Sequence, residues 1–174
     1  MGGLILKGST RMELIPGRFY FVKDEFFQRI NDPALMTNYD TTKRPHYLAF
    51  SDSSTSLFWL VPCSSKIEKY EGLIKKRQEQ NKPHDHIQIV RIQGGKTALI
   101  FNGMFPINPD YISSMFMRFG EPVSITDPKI KESLEKTANR IVMLLRRGIK
   151  FTQSQPDIGK IEKMMLAETE DGTV

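Results

Sequence analysis

Apolar positions recur along the chain at two spacings, every second residue in some stretches and every third or fourth in others. After the turn signal Pro16-Gly17, the aromatic and β-branched run Arg18-Phe19-Tyr20-Phe21-Val22 predicts a strand. Asp24 and Glu25 suit the first turn of a helix, and Phe26, Phe27 and Ile30 fall on one side of it before Asp32-Pro33 ends it. Residues 37–45 are polar and predict an exposed loop. Two apolar stretches, 46–50 and 57–62, flank the serine-rich turn 51–56 and predict a hairpin. From Ile67 to Gln80 the residues Tyr70, Leu73 and Ile74 lie opposite a lysine-rich face, which predicts a helix ended by Asn81-Lys82-Pro83. Alternation from Ile87 to Ile92, the turn Gly94-Gly95 and the return through 97–101 predict a second hairpin. A short extended piece is expected near 104–107, and 110–117 fits helix or strand equally. Thr126-Asp127-Pro128 opens a long helix carrying Ile130, Leu134, Ala138, Ile141 and Leu145 as far as Gly148, and 157–168 reads as a last amphipathic helix. Hairpins with helices between and after them predict an α+β fold on an antiparallel β-sheet.

Length and composition narrow this further. A chain of 174 residues holds one ordinary domain, assigned to 12–168, with 1–11 read as a flexible leader (Met12 as an alternative start) and 169–174 as a mobile tail. The hydrophobic fraction of 39% and charged fraction of 26% are those of a globular protein, and neither a signal peptide nor a stretch of roughly 20 apolar residues is evident. A single cysteine excludes an internal disulfide and a cysteine zinc cluster, which fits a reducing, cytoplasmic setting. A net charge of +5 and a pI near 9.3 favour a polyanionic partner. The positive residues cluster at Lys43-Arg44, Lys66, Lys69, Lys75-Lys76-Arg77, Lys82, Arg140 and Arg146-Arg147, although the default for any one of them is a solvated helix face.

The stretch Leu60-Val61-Pro62-Cys63-Ser64-Ser65-Lys66 carries the densest chemistry, because hydroxyls, a thiol and an amine fall where a strand stops and a helix begins. Such a junction suits an anion, since backbone N–H groups, Ser and Lys all donate; the plainer alternative is that Ser64 or Ser65 caps the helix. Gly94-Gly95 lacks the spacing of a nucleotide-binding loop. His84-Asp85-His86 offers two imidazoles without a further ligand nearby. Cys63 stands where a Ser-x-x-Lys acyl transferase needs its serine. Tyr39, Lys43, Arg44, His46, Tyr47, Ser64, Ser65 and Lys66 remain, a set of cations and aromatics of the kind single-stranded RNA requires. The same residue types suffice for metal-free RNA cleavage, in which a base takes the 2′-hydroxyl proton, the oxygen attacks the adjacent phosphorus, and a cation and hydrogen-bond donors hold the charge that develops on the phosphoryl oxygens.

The succession Lys43-Arg44-Pro45-His46-Tyr47-Leu48, a hairpin, Val61-Pro62-Cys63-Ser64-Ser65-Lys66, then Ile100-Phe101-Asn102 through Phe105-Pro106-Ile107 resembles the toxins of type III toxin–antitoxin systems. These are the ToxN, AbiQ, CptN and TenpN proteins, with CptN or TenpN nearer than ToxN, and the resemblance spans roughly 17–151. It implies a twisted antiparallel β-sheet flanked by helices, distantly like Kid and MazF. It also implies a metal-independent endoribonuclease without a cofactor, leaving 2′,3′-cyclic phosphate and 5′-hydroxyl ends. Its implied partners are an antitoxin RNA of repeated pseudoknot units, which the toxin cuts and which inhibits it in a cyclic toxin–RNA heteromer, and cellular mRNA as substrate; the implied setting is phage defence. Ser64 and Lys66 match the family's serine and lysine, Cys63 replaces a threonine so that a hydroxyl contact there comes from Ser65 or is absent, and His46 lies opposite a lysine, its role open between phosphate contact and proton transfer. Either Tyr39 or Tyr47 corresponds to the family's upstream tyrosine. The catalytic set expected is therefore Lys66, Ser64, Ser65, His46, Tyr47 and Tyr39; RNA contacts are expected from Lys43, Arg44, Lys69, Lys75, Lys76, Arg77, Arg140, Arg146 and Arg147.

Overall fold

The computed structural model describes residues 12–172, so the expected leader 1–11 lies outside the described residues. Strand β1 (Phe19–Val22) leads into helix α1 (Asp24–Ile30). Strands β2 (Pro45–Asp52) and β3 (Leu57–Ser64) form the first hairpin, and helix α2 (Ile67–Glu79) follows. The second hairpin is β4 (Ile87–Ile92) and β5 (Gly95–Ile100); its two-residue loop is Gln93-Gly94, one step earlier than expected, with Ile92 opposite Gly95. A single 3-10 turn leads to β6 (Phe105–Ile107), and the ambiguous stretch 110–117 resolves into a turn and β7 (Ile112–Met115). A small hairpin that hydrophobic spacing did not predict, β8 (Met117–Arg118) with β9 (Glu121–Pro122), precedes helix α3 (Pro128–Arg146). Helix α4 (Ile158–Gly172) continues past Glu168, so residues 169–172, expected to be a mobile tail, are helical.

The strands join in the order β4-β5-β3-β2-β1-β7, with β6 also paired to β3 and every pairing antiparallel. Strand β3 has neighbours on both sides: β2 along one edge, and β6 (Leu60 opposite Phe105) then β5 (Cys63 opposite Leu99) along the other. Successive residues of a strand face opposite ways, so the sheet buries two faces. On one, Phe19, Tyr47, Trp59, Val61, Cys63 and Leu99 pack under α3 through Leu134, Ala138, Ile141, Val142 and Leu145. On the other, Tyr20, Val22, Leu48, Leu60 and Phe105 meet Phe26, Phe27 and Ile30 of α1 and Ile161 and Met165 of α4. Beside them α2 lays Tyr70 and Ile74 over Ile87, Ala98 and Ile100.

Local chemistry explains the ends. Asp127 accepts the Lys129 N–H at 2.9 Å and Pro128 opens α3, while Gly148 at φ 82° lets the Ile149 N–H return to Leu144 O at 3.0 Å. Helix α4 is pinned by Glu168, which accepts from Tyr111 Oη and from Arg29 Nε, and by Thr169, which accepts from Asn108 Nδ2 at 3.1 Å. No helix among the described residues is long and apolar enough to cross a membrane. Ile161 is wholly buried, so Ile161→Ala should destabilise the domain by about 2–5 kcal/mol in urea denaturation, the usual cost of emptying such a site; a loss below about 1 kcal/mol would mean that α4 is not part of the core.

Candidate active site

The end of β3 is fixed by both its neighbours, and there the helix-covered face of the sheet runs out from under α3. A cavity of about 180 Å³ opens at that point, lined by Tyr39, Cys63, Ser64, Ser65, Lys96, Thr97, Phe116 and Arg118 among others. That is room for roughly six waters at about 30 Å³ each. Ser64 is buried, and its Oγ accepts the Lys66 N–H at 3.2 Å, while its carbonyl accepts from Thr97 Oγ1 at 3.4 Å. Neither serine caps α2: the residue before the helix is Lys66, and no side chain bonds its first amides. Ser65 and Lys66 are exposed, at the lip and one step beyond. The serine-cap alternative therefore does not account for this junction.

Arg44 ties the preceding loop to the same strand end. Its Nη1 donates to Cys63 O at 2.8 Å and to Tyr39 Oη at 3.1 Å, and its Nε donates to Thr37 O at 3.0 Å. The guanidinium also lies over the Tyr39 ring, 4.4 Å from its centroid. Asn38 secures the loop from below, accepting the Arg44 N–H and donating to Val22 O and Asp24 Oδ1. Tyr39 is thus held at the cavity with its own hydroxyl proton still to donate. Lys43, nearby, donates to Ser113 Oγ at 3.2 Å.

His46 and Tyr47 do not join this group. Pro45 lines the cavity, so the next residue in the strand faces the other way: His46 is 0% exposed, packed against Phe27 and Phe105 beside α1. Its Nδ1 bonds Arg44 O at 3.0 Å and its Nε2 has no partner. Burial, aided by the charge of Arg44, pushes its pKa down to about 3. Tyr47 faces the α3 side but is sealed in the core against Phe19, and burial drives its phenol well above the ordinary range. The expectation that either moves a proton for a ligand is corrected on that ground. Cys63 is also inert, its buried thiol raised to about 12 by desolvation.

The basic residues divide by what they already touch. Arg146 bonds Asp52 and Glu162 and lies over Trp59, Arg140 is paired with Asp85, and Arg77 donates to Pro83 O. Each of these three thus already engages a partner within the protein at the surface. Lys69, Lys75 and Lys76 are exposed along α2, and Arg147 is exposed at the end of α3. Lys96, Thr97, Phe116 and Arg118 were missed by sequence reasoning; the basic Lys96 directly after the Gly-Gly pair is the signal that could have found one of them. His84 and His86 diverge, His84 contacting Gln78 and His86 buried beneath Phe151. Among the described residues no group of three or more His, Cys, Asp and Glu is arranged to hold a metal.

The antiparallel α+β fold is similar to that of solved structures from type III toxin–antitoxin systems. AbiQ, a lactococcal anti-phage endoribonuclease of such a system, matches with a TM-score of 0.68 and 12% identity over 90% of this chain and 99% of its own. A second structure, from work on bacterial type III systems in which a non-coding RNA pseudoknot selectively inhibits the toxin, matches at 0.57 and 13% identity over 90% and 99%. At such identities the likeness establishes a common fold. No family model matches the sequence, and no curated protein does.

Burial of two neutral imidazoles makes stability depend on pH. Unfolded histidines take up protons below about pH 6.5, whereas folded His46 and His86 stay neutral down to about 3 and 4. Their stabilisation is therefore complete above pH 6.5 and is lost progressively as pH falls towards those values, by about 1.4 kcal/mol per pH unit for each ring. Urea titrations should show His46→Leu retaining only about half of the histidine-linked loss between pH 6.5 and 5; an unchanged slope would mean that His46 is not buried neutral.

Proposed function

We propose that this chain is an endoribonuclease toxin of the type III toxin–antitoxin kind, acting in the cytoplasm without a metal. The observation that carries the reading is the cavity at the end of β3, where Lys96 and Arg118, the rings of Phe19, Tyr39 and Phe116, and the hydroxyls of Ser64, Ser65 and Thr97 meet on a fold similar to that of AbiQ. Phosphodiester cleavage by the neighbouring 2′-hydroxyl asks for three things: a group to manage the proton, donors for the phosphoryl oxygens, and positive charge for the five-coordinate transition state. Ser65 and Thr97 supply hydroxyl donors, and Ser64 braces the turn between them. Lys66, with Lys96 and Arg118, supplies the charge. Tyr39, oriented by Arg44, is the group assigned to proton transfer in place of His46. The products are a 2′,3′-cyclic phosphate and a 5′-hydroxyl.

On this reading the inhibitory partner is an antitoxin RNA of repeated pseudoknot units that the toxin cuts into single units and closes with into a ring. The same chemistry acts on cellular mRNA when that RNA is absent. The pseudoknot recorded as inhibitor in the second similar structure supports an RNA partner of this type.

Purified protein incubated with mixed-sequence RNA in EDTA should yield cyclic phosphate ends. Lys66→Ala should cut about 10²–10³-fold more slowly, as expected for loss of a transition-state charge contact, and Tyr39→Phe should slow cleavage at least tenfold. His46→Leu should leave the rate within about threefold, since general acid–base groups are worth far more than that. Cleavage abolished by EDTA would overturn the metal-free reading. Binding without cleavage in the parent protein would replace the enzyme with a non-catalytic RNA-binding module.

A further inference from the structure

The small β8–β9 hairpin carries a feature that packing does not explain. Its two-residue loop is Phe119-Gly120, with φ of 53° and 79°, the two positive values of a tight hairpin turn in which Asn-Gly is the favoured pair. A phenylalanine is a poor occupant of a left-handed position, yet this one is 84% exposed, the highest value among the exposed large apolar side chains. Ordinarily the backbone there would take a small polar residue and the ring would be inside.

The hairpin itself is held firmly. Arg118 Nη1 donates to Gln93 O at 2.8 Å, Gln93 Nε2 donates to Pro122 O at 3.0 Å, and Gln93 Oε1 accepts the Ser124 N–H at 3.2 Å. The Arg118 guanidinium lies over Phe116, 5.1 Å from its centroid, and both residues line the cavity. Gly94 is where the two hairpins touch. Its φ is 84°, and a Cβ built on it would stand 2.8 Å from Arg118 Nη1 and 3.4 Å from Phe119 Cε2. The exposed ring therefore lies beside Gly94 and follows directly on Arg118, which lines the cavity together with Lys96.

Resting on the RNA reading above, we propose that Phe119 is a stacking platform for an unpaired base next to the scissile nucleotide, with Lys96 and Arg118 contacting the flanking phosphates. A flat, exposed aromatic face on a firmly held hairpin, next to the cation Arg118, is complementary to single-stranded nucleic acid, whose bases are flat and whose backbone is anionic. A strained turn keeps the ring out of the core, so it is available without prior rearrangement.

The test uses a fluorescent 2′-O-methyl decamer, which 2′-hydroxyl attack cannot cut, and the same backbone made abasic. Phe119→Asn suits the turn, so its Tm should equal or exceed the parent's, while affinity for the base-bearing decamer falls about tenfold and affinity for the abasic strand is unchanged. Phe119→Leu, apolar but not flat, should lose affinity similarly, and Phe119→Trp should keep it. Lys96→Ala should weaken both strands and reduce the salt dependence. Equal binding by parent, Asn and Leu variants would overturn the platform while leaving the RNA reading standing. A parent protein that binds neither strand would overturn both. A parent dimer that Phe119→Asn converts to monomer would assign the ring to contact between copies instead.

Discussion

Everything at the cavity depends on the confinement of β3. Its backbone is paired along both edges, to β2 on one and to β6 and β5 on the other, and both its faces are buried. A strand so enclosed cannot slip in register without turning its apolar set towards water. Its last residues therefore occupy a fixed place, and the sequence Cys63-Ser64-Ser65-Lys66 leaves the sheet at a point the core dictates. The Arg44 hydrogen bond to Cys63 O uses that fixed carbonyl as an anchor for an otherwise polar loop. Tyr39 reaches the cavity because of that anchor, not because of its own packing.

Charge at the surface divides into two populations with different physical meaning. Arg146, between Asp52 and Glu162 and over the Trp59 ring, helps hold α3 and α4 to the first hairpin. Its pairs are partly screened by water and specify arrangement more than they stabilise. Lys96 and Arg118 come from two different hairpins, which is why they can flank a single opening. Lys69, Lys75 and Lys76 extend positive charge along α2 from the residue that follows the serine pair.

Much of this was legible in the residues. Apolar stretches either side of a serine-rich turn marked the first hairpin, alternation marked the second, and three- and four-residue steps marked α3 because one face of it is continuously buried. Ser65 and Lys66 could be singled out because a strand-to-helix junction concentrates donors. The two-residue period of any strand contains the correction to His46: with Tyr47 facing α3, its neighbour must face α1. The β8–β9 hairpin was illegible because its strands are two residues long and its turn uses Phe-Gly. Thr97 and Arg118 could not be connected to Ser64 without the sheet order, since the proximity arises from β5 pairing to β3 and from Gln93 binding the small hairpin. Helix α4 outran its expected end because Glu168 and Thr169, polar in sequence, are held by Tyr111, Arg29 and Asn108.

The central claim is that RNA occupies the opening at the end of β3, and direct mapping of the contact tests it most simply. An oligoribonucleotide carrying 4-thiouridine, crosslinked by ultraviolet light and followed by mass spectrometry of the peptides, reports which side chains touch the bases. Adducts on Tyr39 and on the segment from Phe116 to Phe119, competed away by unlabelled single strand, are the result this account predicts. Adducts confined to the lysine face of α2 or to α3, with the cavity residues unmodified, would contradict it.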